Sequence, residues 1–216
     1  MFERTGSIAA ALVLAASAAH GGELYPRAED VRPLLPGMKA PSFTVRDVKG
    51  EVVTIDPAQF EKPVVLTFYR GGWCPYCNLQ LAELRNAEDQ LQEMGFAVWF
   101  ISADRPEILY DSLKQPVDYQ LYSDAPLAAA QAFGIAFRVD DETFDRYQAY
   151  GLDLAAASGE THHGLPAPST FLIGTDGVIQ FQYTNPDYTV RLPPEVLLAA
   201  AQAYQKGVHL RMKKRS

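Results

Sequence analysis

The apolar positions of this chain fall into short runs that alternate with stretches of helical periodicity. Residues 63–69 (PVVLTFY) are apolar or β-branched throughout, which is the pattern of a strand buried on both faces. Residues 75–94 carry leucines and a methionine near helical spacing, and Gly95 follows as a C-cap. Residues 96–102 (FAVWFIS) predict a second buried strand. Together these segments predict a β-α-β unit, which requires parallel strands.

The flanking segments extend this unit on both sides. Upstream, residues 42–56 alternate between apolar and polar positions around Lys49-Gly50, which predicts a β-hairpin. Downstream, residues 102–134 predict a helix that begins near Pro106, a short strand and a second helix. This order of elements predicts an α/β layer with a largely parallel sheet.

The alternation breaks at residues 140–164, which are polar with scattered aromatic and leucine side chains. We interpret them as an inserted helical segment that packs on the core. It closes with His162 and His163, for which two interpretations stay open: a solvated loop, or a position at the mouth of a site. Residues 171–183 then predict a hairpin around an Asp-Gly turn, and residues 195–205 predict a final helix.

Length and composition indicate one globular domain. The chain has 216 residues, of which 48% are hydrophobic and 21% charged, which is enough to build a sizeable core. The net charge of -7 disfavours nucleic acid as a partner, because a binding face needs a basic stripe. We predict one folded domain at residues 37–205, a linker at 19–36 and a basic tail at 206–216.

The first residues resemble a signal peptide. Residues 8–16 (IAAALVLAA) are apolar but too short for a bilayer, which takes about 20 residues, and Ser17-Ala18 completes a small-residue cleavage site. We therefore predict removal of residues 1–18, a mature N-terminus near Ala19, a periplasmic or secreted protein, and no stable membrane anchor. A cytoplasmic location stays the alternative.

The two cysteines of the chain, Cys74 and Cys77, lie where the first buried strand passes into the helix. Unpaired helix N–H groups and the positive end of the helix dipole favour the thiolate of Cys74. Pro75 suits the first helical position, and Arg70 brings a positive charge. Cys77 lies one turn deeper on the same face, so it can resolve an oxidised Cys74 through a disulfide.

A structural role for the cysteine pair is less well supported. A disulfide across four residues constrains the unfolded chain by at most about 2 kcal/mol. Zinc prefers about four ligands, and the four histidines of the chain stand at no ligand spacing from the cysteines. The sequence therefore predicts a redox-active pair, with no metal and no cofactor.

Several motifs resemble a known family. The segment WCPYC (residues 73–77) after a buried strand resembles a thioredoxin-fold active site, and Pro168 before a strand resembles that fold's cis-proline. The hairpin near Phe43 and residues 173–179 (IGTDGVI) are similar to the peroxiredoxin branch (alkyl hydroperoxide reductase / thiol-specific antioxidant, redoxin), in its Cys-x-x-Cys form. The resemblance implies a thioredoxin-like α/β fold: a central mixed sheet flanked by helices, an N-terminal β-hairpin, and a helical insertion before the cis-proline strand.

The same resemblance implies a function. It implies a thiol-dependent antioxidant oxidoreductase in which Cys74 is the peroxidatic nucleophile and Cys77 the resolving cysteine. Trp73 is expected to shield the nucleophile, with Arg70 and Pro168 as further supporting residues. The implied partners are a peroxide or a protein disulfide as oxidant, and an external thiol reductant that is thioredoxin-like or fed from the membrane.

One motif of the family is missing. Typical peroxiredoxins carry Pro-x-x-x-Thr-x-x-Cys, whose threonine binds the peroxide together with a distant arginine. Counting back from Cys74, the threonine position is Gly71 and the proline position is Thr67. Two alternatives therefore stay open: a thioredoxin-type thiol-disulfide oxidoreductase without significant peroxidase activity, and a non-catalytic binding protein on a redoxin scaffold.

Overall fold

The computed structural model describes residues 24–112 and 119–207, so the predicted leader and most of the predicted basic tail lie outside the described residues. The described strands are β1 (Phe43–Arg46), β2 (Val52–Ile55), β3 (Val64–Tyr69), β4 (Ala97–Ser102), β5 (Gln120–Ser123), β6 (Ala136–Arg138), β7 (Gly164–Pro166), β8 (Ser169–Ile173) and β9 (Ile179–Thr184). The described α-helices are α1 (Pro75–Glu93), α2 (Pro106–Ser112), α3 (Ala128–Ala132), α4 (Asp141–Ala149), α5 (Leu154–Ser158) and α6 (Pro194–Gln205).

Seven of these strands form one mixed sheet in the order β2-β1-β5-β4-β3-β8-β9. The strands β3, β4 and β5 are parallel, whereas β1, β8 and β9 run antiparallel to their neighbours. The predicted mixed sheet, N-terminal hairpin and flanking helices are therefore confirmed. Register pairs Tyr69 with Ser102 and Ser102 with Ser123, so the carboxyl ends of the three parallel strands meet at one edge. The chain segments that follow these ends build the site.

The core consists of two apolar layers, one on each face of the sheet. All six residues of β3 are buried, and they alternate between the layers because successive side chains of a strand point to opposite faces. Leu66 and Phe68 pack in the layer covered by α3, whereas Val65 joins the layer under α1 and α6. Each such side chain stabilises the fold by roughly 1.5–3 kcal/mol. Strand β3 therefore holds the segment that follows it in a fixed position.

The insertion at residues 140–164 contains two helices, α4 and α5, as predicted. The sequence did not predict the small antiparallel sheet of β6 and β7 that closes the insertion on both sides. Each of these strands has only three residues, too few for an alternating pattern to be visible. Leu154 and Leu165 anchor the insertion in the core.

The two histidines at the end of the insertion fasten it to the rest of the domain. The Nε2 atom of His162 lies 2.8 Å from the carbonyl oxygen of Ala125, and its Nδ1 accepts a hydrogen bond from the amide of Gly164. The ring of His163 stacks on Phe144 with centroids 3.9 Å apart. Both rings are half-buried and held by these contacts.

Residues 24–36, which the sequence predicted as part of a linker, are attached to the domain. The amide of Arg32 donates to the carbonyl of Gly134, and the amide of Leu34 donates to that of Phe133. Leu24 and Leu34 pack on the core. The prolines of this segment suggested a spacer, but its backbone is paired with the chain around α3 and β6.

The resemblance suggested Pro168 as a cis-proline, but no cis peptide bond occurs within residues 24–112 and 119–207. The amide of Ala167, the residue before Pro168, donates to the carbonyl of Ile135. In the same described ranges, no helix is long and apolar enough to cross a membrane.

Candidate active site

Cys74 lies at the junction of a strand, a turn and a helix, as predicted. After β3 the chain turns at residues 70–73, and Cys74 is the extended N-cap residue of α1. Its carbonyl accepts hydrogen bonds from the amides of Cys77 and Asn78, at 3.0 and 3.1 Å. Pro75 occupies the first helical position, where no amide hydrogen is needed. No side-chain hydrogen bond from Cys74 caps the helix.

The two cysteines lie 3.2 Å apart. Both are buried, with Cys74 1% and Cys77 0% exposed, and both belong to the apolar layer under α1. A disulfide bond is about 2.05 Å long. The sulfurs therefore need to approach by only about 1 Å, and α1 does not have to unwind for the bond to form.

Arg191 binds both sulfur atoms. It lies on the loop of residues 185–193 between β9 and α6, here called the arginine loop. Its Nη2 is 3.3 Å from Cys77 Sγ and 4.0 Å from Cys74 Sγ. Its Nη1 donates to Gln80 and its Nε donates to the carbonyl of Tyr188. Sequence reasoning missed this residue, because an arginine in a polar loop has no local signature of its role.

The two thiols of the site have pKa values shifted in opposite directions. The hydrogen bond from Cys77 lowers the pKa of Cys74 well below that of a free thiol, and the charges of Arg70 and Arg191 lower this pKa further. The same hydrogen bond, together with burial, raises the pKa of Cys77. In this arrangement Cys77 keeps its proton while Cys74 carries the thiolate.

Arg70 is buried at the end of β3, with 3% of its surface exposed. Its guanidinium lies 4.1 Å from the ring centre of Tyr188 and 5.2 Å from that of Trp73. Its Nη2 donates to the hydroxyl of Tyr147, which the insertion supplies. Its buried Nε has no hydrogen-bond partner among the described residues. Arg70 and Trp73 thus lie beside Cys74, as predicted, and Tyr147 and Tyr188 join them from distant segments.

Two consecutive glycines shape the turn before Cys74. The amide of Gly72 donates to Oδ2 of Asp104 at 2.7 Å. Asp104 lies just past the end of β4. Gly71 has a φ of +155°, and a Cβ there would lie 2.2 Å from Trp73 Nε1 and 2.6 Å from Asp104 Oδ1. A threonine therefore does not fit at this position beside Trp73 and Asp104.

Asp104 is a buried acid beneath the turn, with 1% of its surface exposed. Burial raises its pKa to about 6, while the hydrogen bond from the Gly72 amide opposes that rise. The thiolate of Cys74 contributes a smaller increase. Sequence reasoning missed the contact of Asp104 with the turn.

Two cavities adjoin the site. A groove of about 690 Å³ runs between α1 and the arginine loop, and Arg191 and Gln80 line it beside the exposed side chains of Tyr76 and Leu79. A second cavity of about 360 Å³ is lined by Arg70, and Pro168 lies in its wall. Of the four predicted supporting residues, Arg70, Trp73 and Pro75 lie near Cys74, whereas Pro168 lines the neighbouring cavity.

Known proteins of one family are similar to this chain. Residues 36–182 match the model of the AhpC/TSA family. The chain is 30% identical over 156 residues to peroxiredoxin Bcp of Escherichia coli (strain K12), covering 72% of this chain and 88% of that protein. It is 26% identical over 151 residues to chloroplastic peroxiredoxin Q of Oryza sativa subsp. japonica, covering 69% of this chain and 58% of that protein.

Solved structures share the fold. Peroxidoxin BcpB from Mycobacterium tuberculosis matches with a TM-score of 0.58 and 21% identity, covering 78% of this chain and 96% of that one. The thiol peroxidase from Chromobacterium violaceum matches with a TM-score of 0.64 and 12% identity, covering 87% of this chain and 100% of that one. At these identities the structural matches support the architecture of the domain alone.

Proposed function

Because the chain belongs to the AhpC/TSA family, we propose that it is a thiol-dependent peroxidase of the peroxiredoxin type. Cys74 is the peroxidatic cysteine and Cys77 the resolving cysteine. The observation that carries this assignment is the pair of sulfurs 3.2 Å apart, with the pKa of the Cys74 thiol lowered beside two arginines. A thiolate in this setting is the nucleophile that peroxide chemistry needs.

The reaction follows from the positions of the two thiols. The Cys74 thiolate attacks one peroxide oxygen, so an S–O bond forms, the O–O bond breaks, and the departing oxygen takes up a proton. Cys74 is then a sulfenic acid. The sulfur of Cys77 loses its proton and attacks Cys74, which forms the disulfide and releases water. An external thiol reductant returns two electrons and restores the dithiol.

Arg191 supports the first step. Its guanidinium donates to both sulfurs, so it stabilises the thiolate and lies beside the oxygen that gains negative charge as the O–O bond breaks. In typical members of the family a threonine three residues before the cysteine and a distant arginine bind the peroxide. Here Gly71 excludes the threonine, and Arg191 supplies donors from the arginine loop.

The test is a stopped-flow measurement of peroxide consumption by the wild-type protein, Cys74→Ser and Cys77→Ser. We expect Cys74→Ser to be inactive. We expect Cys77→Ser to consume one equivalent of peroxide and to stop as a sulfenic acid, because its resolving thiol is gone. If the wild-type protein consumes peroxide no faster than a free thiol does at the same pH, the proposed peroxidase activity is refuted. Reduction of insulin-type disulfides without peroxide consumption would then favour the thiol-disulfide oxidoreductase.

The proposal also covers partners, boundaries and location. The oxidant is a peroxide, the reductant is an external thiol protein, and residues 37–205 form the catalytic domain. Export rests on the apolar segment at residues 8–16 and the small residues that follow it. Mass spectrometry of the protein from its native host should find a mature N-terminus near Ala19. An intact Met1 in the cytoplasmic fraction would contradict export.

A further inference from the structure

The groove beside the arginine loop follows one face of α1 and is here called the α1 groove. Its volume is about 690 Å³. The other wall is formed by the arginine loop and the beginning of α6, as far as Leu198. The wall on α1 is a stripe of residues at helical spacing: Tyr76, Leu79, Gln80, Glu83, Ala87 and Gln90. The α1 groove therefore runs along most of this helix.

The floor of the α1 groove is apolar. Ala87 and Leu192 lie at its base, with 1% and 2% of their surface exposed. Tyr76 and Leu79 stand along it with 44% and 60% exposed. Large apolar side chains that are exposed together mark a binding surface more often than single ones do. The groove can therefore bury the apolar side chains of a segment that lies in it.

The charged side chains of the α1 groove give it an acidic rim. The lining carries two carboxylates, Glu83 and Glu195, and one cation, Arg191. Arg191 already contacts both sulfurs and donates to Gln80. Neither of the two carboxylates forms an ion pair with another described residue. The groove therefore favours a segment that combines apolar and basic side chains.

Residues 208–216 (VHLRMKKRS), here called the tail segment, have a sequence of this kind and lie outside the described residues. In an extended chain, successive side chains point to opposite sides. The apolar residues Val208, Leu210 and Met212 stand at alternate positions, so they share one side of an extended segment. Arg211 and Lys213 share the other side. Such a segment would place its apolar side on the floor of the groove and its basic side at the rim.

The tail segment starts close enough to reach the whole α1 groove. Helix α6 ends at Gln205, whose side-chain amide donates to the carbonyl of Met94 just past the end of α1. Gly207 has a φ of +60°, the left-handed conformation that ends a helix and redirects the chain. The path back along α1 from Met94 to Tyr76 is about 27 Å, at about 1.5 Å per residue. The tail segment spans about 30 Å when extended.

We propose that the tail segment binds in the α1 groove of its own chain, with its apolar side chains on the floor and its basic side chains against Glu83 and Glu195. Because Arg191 lies in the wall of the groove, the bound segment covers the side of the cysteine pair that Arg191 contacts. The tail segment is then a cover that restricts access to the two thiols. This binding does not depend on the reaction that the thiols perform.

The experiment measures the binding of a fluorescent peptide of residues 208–216 by anisotropy. The full chain is compared with a chain that ends at Gly207, which keeps the whole of α6. A tethered segment competes at an effective concentration on the order of 1 mM. We expect the shortened chain to bind the peptide with a Kd of about 0.2 mM or tighter, and the full chain to bind it at least about fivefold more weakly.

Matched variants of the shortened chain locate the site. Glu83→Gln should weaken peptide binding about threefold, because it removes one partner of the basic side chains. Leu79→Ser should weaken it at least about fivefold, because it removes apolar surface from the groove. Asp89→Asn is the control and should keep full binding, since Asp89 is an exposed acid of α1 outside the groove. A peptide of the same composition with its apolar residues grouped together should bind weakly.

Two further measurements use the full chain. The double substitution Leu210→Ser and Met212→Ser should restore peptide binding to the level of the shortened chain, and it decides the matter if the shortened chain does not fold. Alkylation of the dithiol form by a bulky maleimide should be at least about fivefold slower in the wild-type chain than in this double variant, because the same occupancy of the groove governs both results.

Several outcomes would overturn the proposal. Absence of peptide binding to both the shortened chain and the double variant, or equal binding to these and to the wild-type chain, would refute the docking. An equal loss in Glu83→Gln and Asp89→Asn, or equal binding of the rearranged peptide, would show a nonspecific attraction of charges instead. Equal alkylation rates would refute the cover. A full chain that sediments as a dimer while the shortened chain is a monomer would place the tail segment in the groove of a second copy.

Discussion

Removal of Arg191 takes away a positive charge that lies against both sulfurs of the cysteine pair. Its Nη2 lies 4.0 Å from Cys74 Sγ. Two unit charges 4 Å apart interact by about 4 kcal/mol at an effective dielectric constant of 20 and by about 1 kcal/mol in water. Because Arg191 is half-buried, we take about 2 kcal/mol, which corresponds to about 1.5 pKa units. Arg191→Met should therefore raise the pKa of Cys74 by about 1.5 units and, at a pH below both values, reduce the thiolate fraction roughly 30-fold.

The assay is a pH titration of the ultraviolet absorbance of the thiolate, measured on the dithiol form. The matched control is Arg46→Met, because the Arg46 side chain donates to the carbonyl of Gly50 in the hairpin, and β5 and β4 separate its strand from β3. We expect the control to titrate like the wild-type protein. A Cys74 pKa that is the same in Arg191→Met and in wild type, or that rises equally in both variants, would refute this account of the thiolate. The rate of peroxide reduction below neutral pH should fall together with the thiolate fraction.

Two further predictions concern the turn before Cys74. Gly71→Ala should lower the free energy of unfolding by about 2 kcal/mol or more, because its Cβ would lie 2.2 Å from the Trp73 indole; Gly72→Ala, with nothing closer than 3.7 Å, should lose under about 1 kcal/mol. Equal losses in urea unfolding would contradict this explanation. Burial raises the pKa of Asp104 from 3.8 to about 6, so the folded state holds this proton more tightly than the unfolded chain does. The wild-type protein should therefore lose about 3 kcal/mol of stability relative to Asp104→Asn as the pH rises from about 3 to about 7, with most of the loss between the two pKa values. A stability difference that does not change with pH would show that Asp104 does not titrate in this window.

The sequence alone was sufficient for the elements that depend on local patterns. The β-branched run of β3, the helical spacing of α1 and the Asp-Gly turn between β8 and β9 all predicted structures that the fold confirms. These patterns are readable because burial of a strand or of a helix face imposes a short period on neighbouring positions. The cysteine spacing likewise placed both thiols on one face of one helix, and the family resemblance agreed with the matched family.

The tertiary structure decided everything that depends on contacts between distant segments. Arg191 reaches Cys77 across 114 positions of the sequence, and Arg70 meets Tyr147 across 77. No periodicity or spacing links such residues, because they approach only when the ends of β3, β4 and β9 are brought to one side of the sheet. Gly71 illustrates both contributions. The sequence showed that the threonine of the family motif is missing there, and the packing of Trp73 and Asp104 showed that no side chain fits at that position.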